Sequence, residues 1–235
     1  MHTLWTNLIY NPIYNVLIWT AQHVTMQDVG LAVIVVTILI RFILMPLSKK
    51  SIMSQYKTRM LEPKLAAIKA KGLSKEEEAR ETFALYKAEG INPFSGCLYL
   101  LIQLPILFAL YFVFMKGIFQ PEHLYGALST DGLKETLLGL IDITKPYLPL
   151  AILAGITQSI QAFLMPKPTS ATTGKPGFQE QFAKSMHVQT RYVLPLIIIF
   201  VASKLVAAVA LYWVVANTFS ILQELYFRRQ IVKAS

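Results

Sequence analysis

Along the chain, hydrophobic and polar positions separate into long blocks, and the blocks predict the elements. From about Asp28 to Leu47 the residues are almost wholly apolar, and about 20 helical residues at 1.5 Å each cover a hydrocarbon layer of roughly 30 Å. No charged residue occurs between Ile91 and Met115, which predicts a second span over 92–115, and Pro146 to Pro166 predicts a third. The apolar run from Tyr192 to Gln223 is too long for one straight span and carries Lys204 near its middle. Two spans, 187–203 and 206–227, that turn near Ser203-Lys204 put the ammonium at an interface. The pattern therefore predicts an all-α integral membrane protein with five transmembrane helices.

Between the first two spans, residues 48–91 hold ten Lys or Arg and six Glu. Ile52, Tyr56, Met60, Leu65 and Ile68 keep a helical rhythm with Pro63 as the expected kink. Gly72 then ends the helix, and Ser74-Lys75-Glu76-Glu77 has the form of a capping box that opens another, closed by Gly90 before Asn92-Pro93. This predicts a helical hairpin outside the bilayer, most of its charge being a solvated face. Residues 167–186, rich in Pro, Gly, Ser and Thr, are expected to be a loop.

Residues 1–27 are aromatic and apolar, interrupted by Asn7, Asn11 and Asn15 at four-residue intervals. In a helix these would form a polar stripe opposite Ile13, Val16 and Leu17, with Asn11 as cap and Pro12 in the first turn. We expect an amphipathic helix at the extracytoplasmic membrane surface, a sixth span being the rival reading.

Composition sharpens this picture. Hydrophobic residues make up 54% and charged ones 15%, which fits a membrane protein of a single core domain, 28–235. The net charge of +9 could suggest nucleic acid, but the basic residues are confined to segments between the spans, where they report topology. Loop 48–91, loop 167–191 and the tail from Arg228 carry ten, four and three basic residues; the intervening segments carry three and one. The positive-inside rule puts the first group in the cytoplasm, the N-terminus outside and the C-terminus inside. The first 27 residues contain no Lys or Arg, so no secretory signal is expected there. With one cysteine, Cys97, an intramolecular disulfide and a zinc cluster are excluded, and the four His have no ligand spacing.

One residue in the spans carries chemistry. Arg41 sits inside the first apolar run, and a guanidinium stays charged there at a cost of about 2.5–3.5 kcal/mol on insertion scales. It either snorkels past Lys49 and Lys50 to the cytoplasmic edge or faces a hydrated cavity. Polar residues on other spans supply partners for the second reading. Thr37 lies one turn before it; Gln103 is in the second span, Thr157, Gln158 and Gln161 are in the third, and Trp213, Asn217, Ser220 and Glu224 form a stripe in the fifth. No paired carboxylates, nucleophile with a nearby His, phosphate-binding loop or metal motif is present, so neither an enzyme nor a cofactor is expected. A transporter or channel that binds an anionic solute through Arg41 is the rival function, although no internal repeat supports it.

The arginine in the first core span, the charged segment after it, INPFSGCLYLLIQLPILFALYFV at Ile91 to Val113 and LYWVVANTFSILQ at Leu211 to Gln223 together resemble the YidC/Oxa1/Alb3 membrane protein insertases over nearly the whole chain. That resemblance implies a five-span core whose first, second and fifth helices enclose a hydrophilic groove open to cytoplasm and lipid. Arg41 would be the groove arginine, Thr37 the threonine before it and Trp213 the aromatic of Leu-Tyr-Trp. Gln158 and Gln161 transfer from the third core span, and Gln103, Asn217 and Ser220 complete the expected groove. It also implies nascent membrane proteins and the lipid bilayer as partners, with the ribosome, signal recognition machinery and Sec translocon in reach and no specific nucleic-acid recognition. The implied location is the bacterial plasma membrane. Val206-Ala207-Ala208 stands where many members have Pro-Ala-Gly, so the turn before the fifth span is expected to differ.

Overall fold

The computed structural model describes residues 2–91, 95–165 and 185–234. The expected break at Asn92-Pro93, most of the loop 167–186 and the side chain of Cys97 lie outside what is described.

The protein is mainly helical. Helix α1 (His2–Trp5) runs through a π-helical turn, Thr6–Tyr10, into α2 (Asn11–His23). The chain is already helical at Tyr10, so Asn11 continues the helix where a cap was expected. Tyr14, Leu17, Ile18 and Ala21 are fully buried, while Val16 and Trp19 are about half exposed. Asn15 is buried too. Its Nδ2 donates to the carbonyls of Asn11 (2.8 Å) and His123 (2.7 Å), and its Oδ1 accepts from the Tyr125 amide (2.6 Å). The asparagine face thus binds a loop at this position and is not left to water.

Helix α3 (Val29–Ile43) begins at Asp28, whose extended backbone and carboxylate form an N-cap, with Oδ1 accepting from the Leu31 amide at 2.8 Å. A continuous span 28–47 was expected, but α3 stops at Ile43 and the chain bends by 61° into α4 (Met45–Met60). Pro46 is the physical reason, because it lacks an amide proton and its ring would collide with the carbonyl four residues back. Pro63 breaks the next stretch in the same way, and α5 (Glu62–Ala70) starts around it. Gly72 adopts φ +65° after α5. The capping box then forms: Ser74 Oγ accepts from the Glu77 amide (3.3 Å), and the Glu77 carboxylate accepts from the Ser74 amide (3.1 Å), which opens α6 (Lys75–Ala88). Ion pairs Lys64–Glu89 (2.5 Å) and Lys71–Glu81 (2.7 Å) join this segment to α5.

Helix α7 (Ser95–Met115) leads to a structured connection that holds a two-stranded antiparallel hairpin, β1 (Thr136–Leu137) and β2 (Ile141–Asp142). Lys145 pairs with Asp142 at 2.6 Å. That ammonium, helped by the Thr144 hydroxyl, holds the Asp142 carboxyl down at about 2. Helix α8 (Leu148–Leu164) follows, then a π-helical turn, Gln189–Val193, that runs into α9 (Leu194–Ala202). The chain turns at Ser203 to Val206, where Lys204 is exposed, and ends in α10 (Ala207–Ala234).

By length and composition, Ser185–Ala202 and Ala207–Gln230 can each cross a membrane, and α3 with α4 makes a third candidate if the bent pair is one span. Ile102–Met115 and Leu148–Leu164 are shorter apolar helices among the described residues.

The core fixes which end of the bundle is sealed. Tyr10, Tyr14, Val113, Ile118, Ile143 and the run Ala207 to Tyr212 form one dry cluster. The connection after α7 is stitched to it: Tyr14 Oη donates to the Ile118 carbonyl (2.7 Å), and the Ala207 and Ala208 amides donate to the carbonyls of Lys145 (2.8 Å) and Ile143 (3.0 Å). These bonds satisfy the opening amides of α10, which would otherwise be orphaned at its buried start.

Candidate functional site

Helices α3 and α10 leave the sealed end side by side. Arg41 comes thirteen residues after Asp28, and Ser220 thirteen after Ala207, so both lie about 20 Å further along. There they meet. Arg41 is only 5% exposed, and its Nη1 donates to Ser220 Oγ at 3.1 Å, while Ser220 donates onward to the Ala216 carbonyl at 2.9 Å. The guanidinium is therefore inside the bundle and does not run along the outside of α3 to the edge.

From Arg41 the buried polar groups continue away from the sealed end. Four residues past Ser220, one turn on, Glu224 is buried on α10 beside Gln223. Ser48, just past the bend, donates to Gln223 Oε1 at 2.9 Å. The Gln223 amide nitrogen, Glu224 Oε1 and Gln103 Oε1 on α7 are buried with no hydrogen-bond partner among the described residues. Tyr56, on the charged side of the bend, lies by the Glu224 carboxylate. Burial first, and then that carboxylate, push its hydroxyl up to about 12, so it remains a donor at neutral pH. Lys49 lies over the Phe227 ring at 5.7 Å. Helix α4 is thus clasped to the last turns of α10 by three side-chain pairs, Ser48–Gln223, Tyr56–Glu224 and Lys49–Phe227.

The remaining candidate residues divide. Asn217 Nδ2 reaches the Ala154 carbonyl and Thr157 Oγ1 on α8, both at 3.4 Å. Thr37 is 1% exposed, and its hydroxyl donates to its own helix, to the Val33 carbonyl at 2.6 Å. Gln158 and Gln161 are half-buried on α8, where Thr157 is the residue that meets Asn217. Trp213 packs against the apolar core. Ser48, Gln223 and Tyr56 were not among the residues singled out by sequence as site candidates. For Ser48 the one sequence signal is that Ser48, Ser51 and Ile52 fall at helical spacing on a single face, and all three are buried.

Chemically the strip offers a fixed cation, hydroxyls, and amide and carboxylate groups with spare hydrogen-bonding capacity. Among the described residues no three His, Cys, Asp or Glu side chains come together as a metal site. Such an arrangement can pair with polar or anionic groups by charge and hydrogen bonds. An all-α membrane protein with a cation buried between helices, sealed at one end and polar toward the other, is the class that this fold and site define.

The chain belongs to the 60Kd inner membrane protein family, which it matches over residues 19–234. It is similar to the membrane protein insertase YidC of Oceanobacillus iheyensis, 32% identical over 234 residues that cover 97% of this chain and 85% of the relative. The proteins of the same name from Stutzerimonas stutzeri (32% over 231 residues) and Aeromonas hydrophila (31% over 230 residues) are matched over 97% of this chain. Of those two relatives the chain spans only 36% and 38% of the length. Nothing in these likenesses supports the transporter reading.

Proposed function

We propose that the protein inserts nascent membrane proteins into the bacterial plasma membrane and assists their folding, without ATP, by way of a polar groove that runs from the cytoplasmic mouth at Ser48, Gln223 and Glu224 to Arg41. The apolar helices α3, α7, α8, α9 and α10 serve as the five spans, with the N-terminus outside, α2 at the outer surface and the C-terminus in the cytoplasm. Helices α5 and α6 form the cytoplasmic hairpin, which receives substrate and meets the ribosome, the signal recognition machinery and the Sec translocon.

The observation that carries this reading is the buried guanidinium of Arg41 held by Ser220. An unescorted polar tail crossing hydrocarbon loses its hydrogen bonds to water at several kcal/mol per group. A groove that supplies a cation and unmet donors and acceptors partway across shortens that passage. An acidic tail pairs with Arg41, its backbone meets Gln103 and Gln223, and its apolar segment slides into lipid beside α3 and α10. Shared naming with the insertase relatives supports the same activity.

The test is depletion of the protein followed by insertion of a single-span substrate with a short acidic translocated tail. Arg41→Ala is expected to impair insertion and Arg41→Lys largely to preserve it. Equal activity of all three proteins would overturn the role of Arg41. A cysteine at Gln103 should react with polar reagents from the cytoplasm, and protection there would remove the hydrated groove.

A further inference from the structure

At the sealed end, remote from Arg41, the protein displays apolar side chains that its fold has no need to expose. The hairpin β1–β2 turns through Leu138, Gly139 and Leu140, with the Leu140 amide donating to the Leu137 carbonyl at 3.0 Å. Leu138 is 64% exposed and Leu140 85%; Met26, in the connection between α2 and α3, is 89% exposed. Leu138 and Met26 also hold left-handed backbone, at φ +55° and +51°. With Gln27 they are the non-glycine residues of positive φ among the described residues.

That combination runs against turn chemistry. A tight turn whose two central residues, here Leu138 and Gly139, both have positive φ favours Asn-Gly or Gly-Gly, since short polar or absent side chains tolerate the left-handed region. Leucine gains nothing there in water, where it adds backbone strain to apolar exposure. It is the residue expected if the tip is not in water.

The hairpin is also clamped at a set depth. The Leu138 amide donates to Asp28 Oδ2 at 2.7 Å, the Lys134 amide to the Gln27 carbonyl at 2.7 Å, and the Val29 amide to the Lys134 carbonyl at 3.0 Å. Leu137 rests on Gly30 so closely that a Cβ there would come within 2.7 Å of its Cα. Contact at Gly30, past the Asp28 cap, sets the hairpin beside the first turn of α3 and not beyond it. From β2 the chain passes the Asp142–Lys145 pair and Tyr147 into α8, where Leu148, Ile152 and Ile156 are exposed. The chain thus leads from the tip to the exposed apolar side chains of α8, with a tyrosine at the boundary as membrane interfaces favour.

We propose that Leu138 and Leu140, with Met26, form a lipid anchor seated in the outer leaflet, whose rigid attachment to Asp28 and Gly30 sets the depth of α3 and so of Arg41. The anchor rests on the orientation given above, with the sealed end outside. Its occupant is bilayer lipid, and the apolar tip needs no charged headgroup.

The test uses the full chain in liposomes, in a Cys97→Ser background, with nitroxide labels at Leu140→Cys, at Ile152→Cys on α8 and at exposed Asp131→Cys. Collision with oxygen, which partitions into lipid, is compared with collision with a water-soluble nickel chelate. The label at 140 should follow the one at 152, with oxygen dominant. Nickel access at 140 equal to that at 131 would overturn the anchor while leaving the spans intact. Nickel access at 152 as well would sink the membrane reading of α8 and the anchor with it. Shielding from both reagents in native membranes would assign the tip to a protein partner and equally overturn the proposal.

Discussion

Replacing Arg41 with methionine should separate stability from function. The substitution keeps the length of an unbranched side chain and removes the charge. Its hydrogen bond to Ser220 Oγ at 3.1 Å is one of the interactions lost, and a bond from a charged donor is worth about 1.5–3 kcal/mol. Against it stands the cost of holding a guanidinium at this depth, about 2.5–3.5 kcal/mol on insertion scales. Ser220 is not orphaned, because its hydroxyl already donates to the Ala216 carbonyl, and Thr37 likewise bonds its own helix. The two terms are of the same size, to within about 2 kcal/mol, in line with the frequent neutrality of replacing buried charge by apolar volume. Reversible unfolding in mixed micelles should therefore show Arg41→Met within about 2 kcal/mol of the parent, while reconstituted insertion of an acid-tailed substrate falls about tenfold or more, roughly 1.4 kcal/mol on the barrier. A stability loss above about 3 kcal/mol would mark Arg41 as a structural group whose removal strands buried partners, and would refute this accounting. Undiminished insertion would refute the role of Arg41 in the groove.

Four further outcomes are expected. Gly155→Ala should destabilise the α8–α9 contact by about 1–3 kcal/mol, because its Cβ would lie 2.2 Å from Ile199 Cγ1; unfolding measurements should show partial rescue by Ile199→Ala, which removes that atom, and an unaltered single variant would contradict the packing. Asn15→Ala should cost about 1–3 kcal/mol by leaving the Tyr125 amide and the His123 carbonyl unpaired, read from the same unfolding curves. Tyr56 holds its proton more tightly in the folded state than at the ordinary value of 10.0, so its contribution is complete below that pH and is lost as pH rises through about 12. Spin-label distances between α4 and α10 should lengthen in that window for the parent, whereas Tyr56→Phe should show no such transition. Leu138→Asn should raise stability in detergent by about 1 kcal/mol through relief of the left-handed strain, and a lower stability would show that the leucine packs within the fold.

Much of the helical plan was legible in the chain. The capping box at Ser74, the helix ends at Gly72 and Gly90 and the exposed turn at Lys204 depend on local propensity or on the price of a charge in lipid, and both are written in short windows. Arg41, Asn217 and Ser220 could be picked out because polar groups in apolar runs are costly enough to be conspicuous. The bend at Leu44 was harder. Pro46 signals it, but apolar continuity through Leu47 hides it from a reading based on hydropathy. Ser48, Gln223 and Tyr56 could not be assigned, because a serine, a glutamine and a tyrosine in helices are ordinary residues until α4 packs against α10.

Composition and periodicity alone thus determined a membrane protein with its basic residues gathered between apolar runs and one arginine that needed company, since desolvation acts on each residue wherever its neighbours lie. Tertiary structure decided what that company is. It brought Ser220 to Arg41 from 179 residues away, turned Asn15 inward to hold a loop, and set two leucines on a strained turn beside Gly30. Each of these depends on a long-range contact, and the energy of a contact belongs to the pair and cannot be read from either residue.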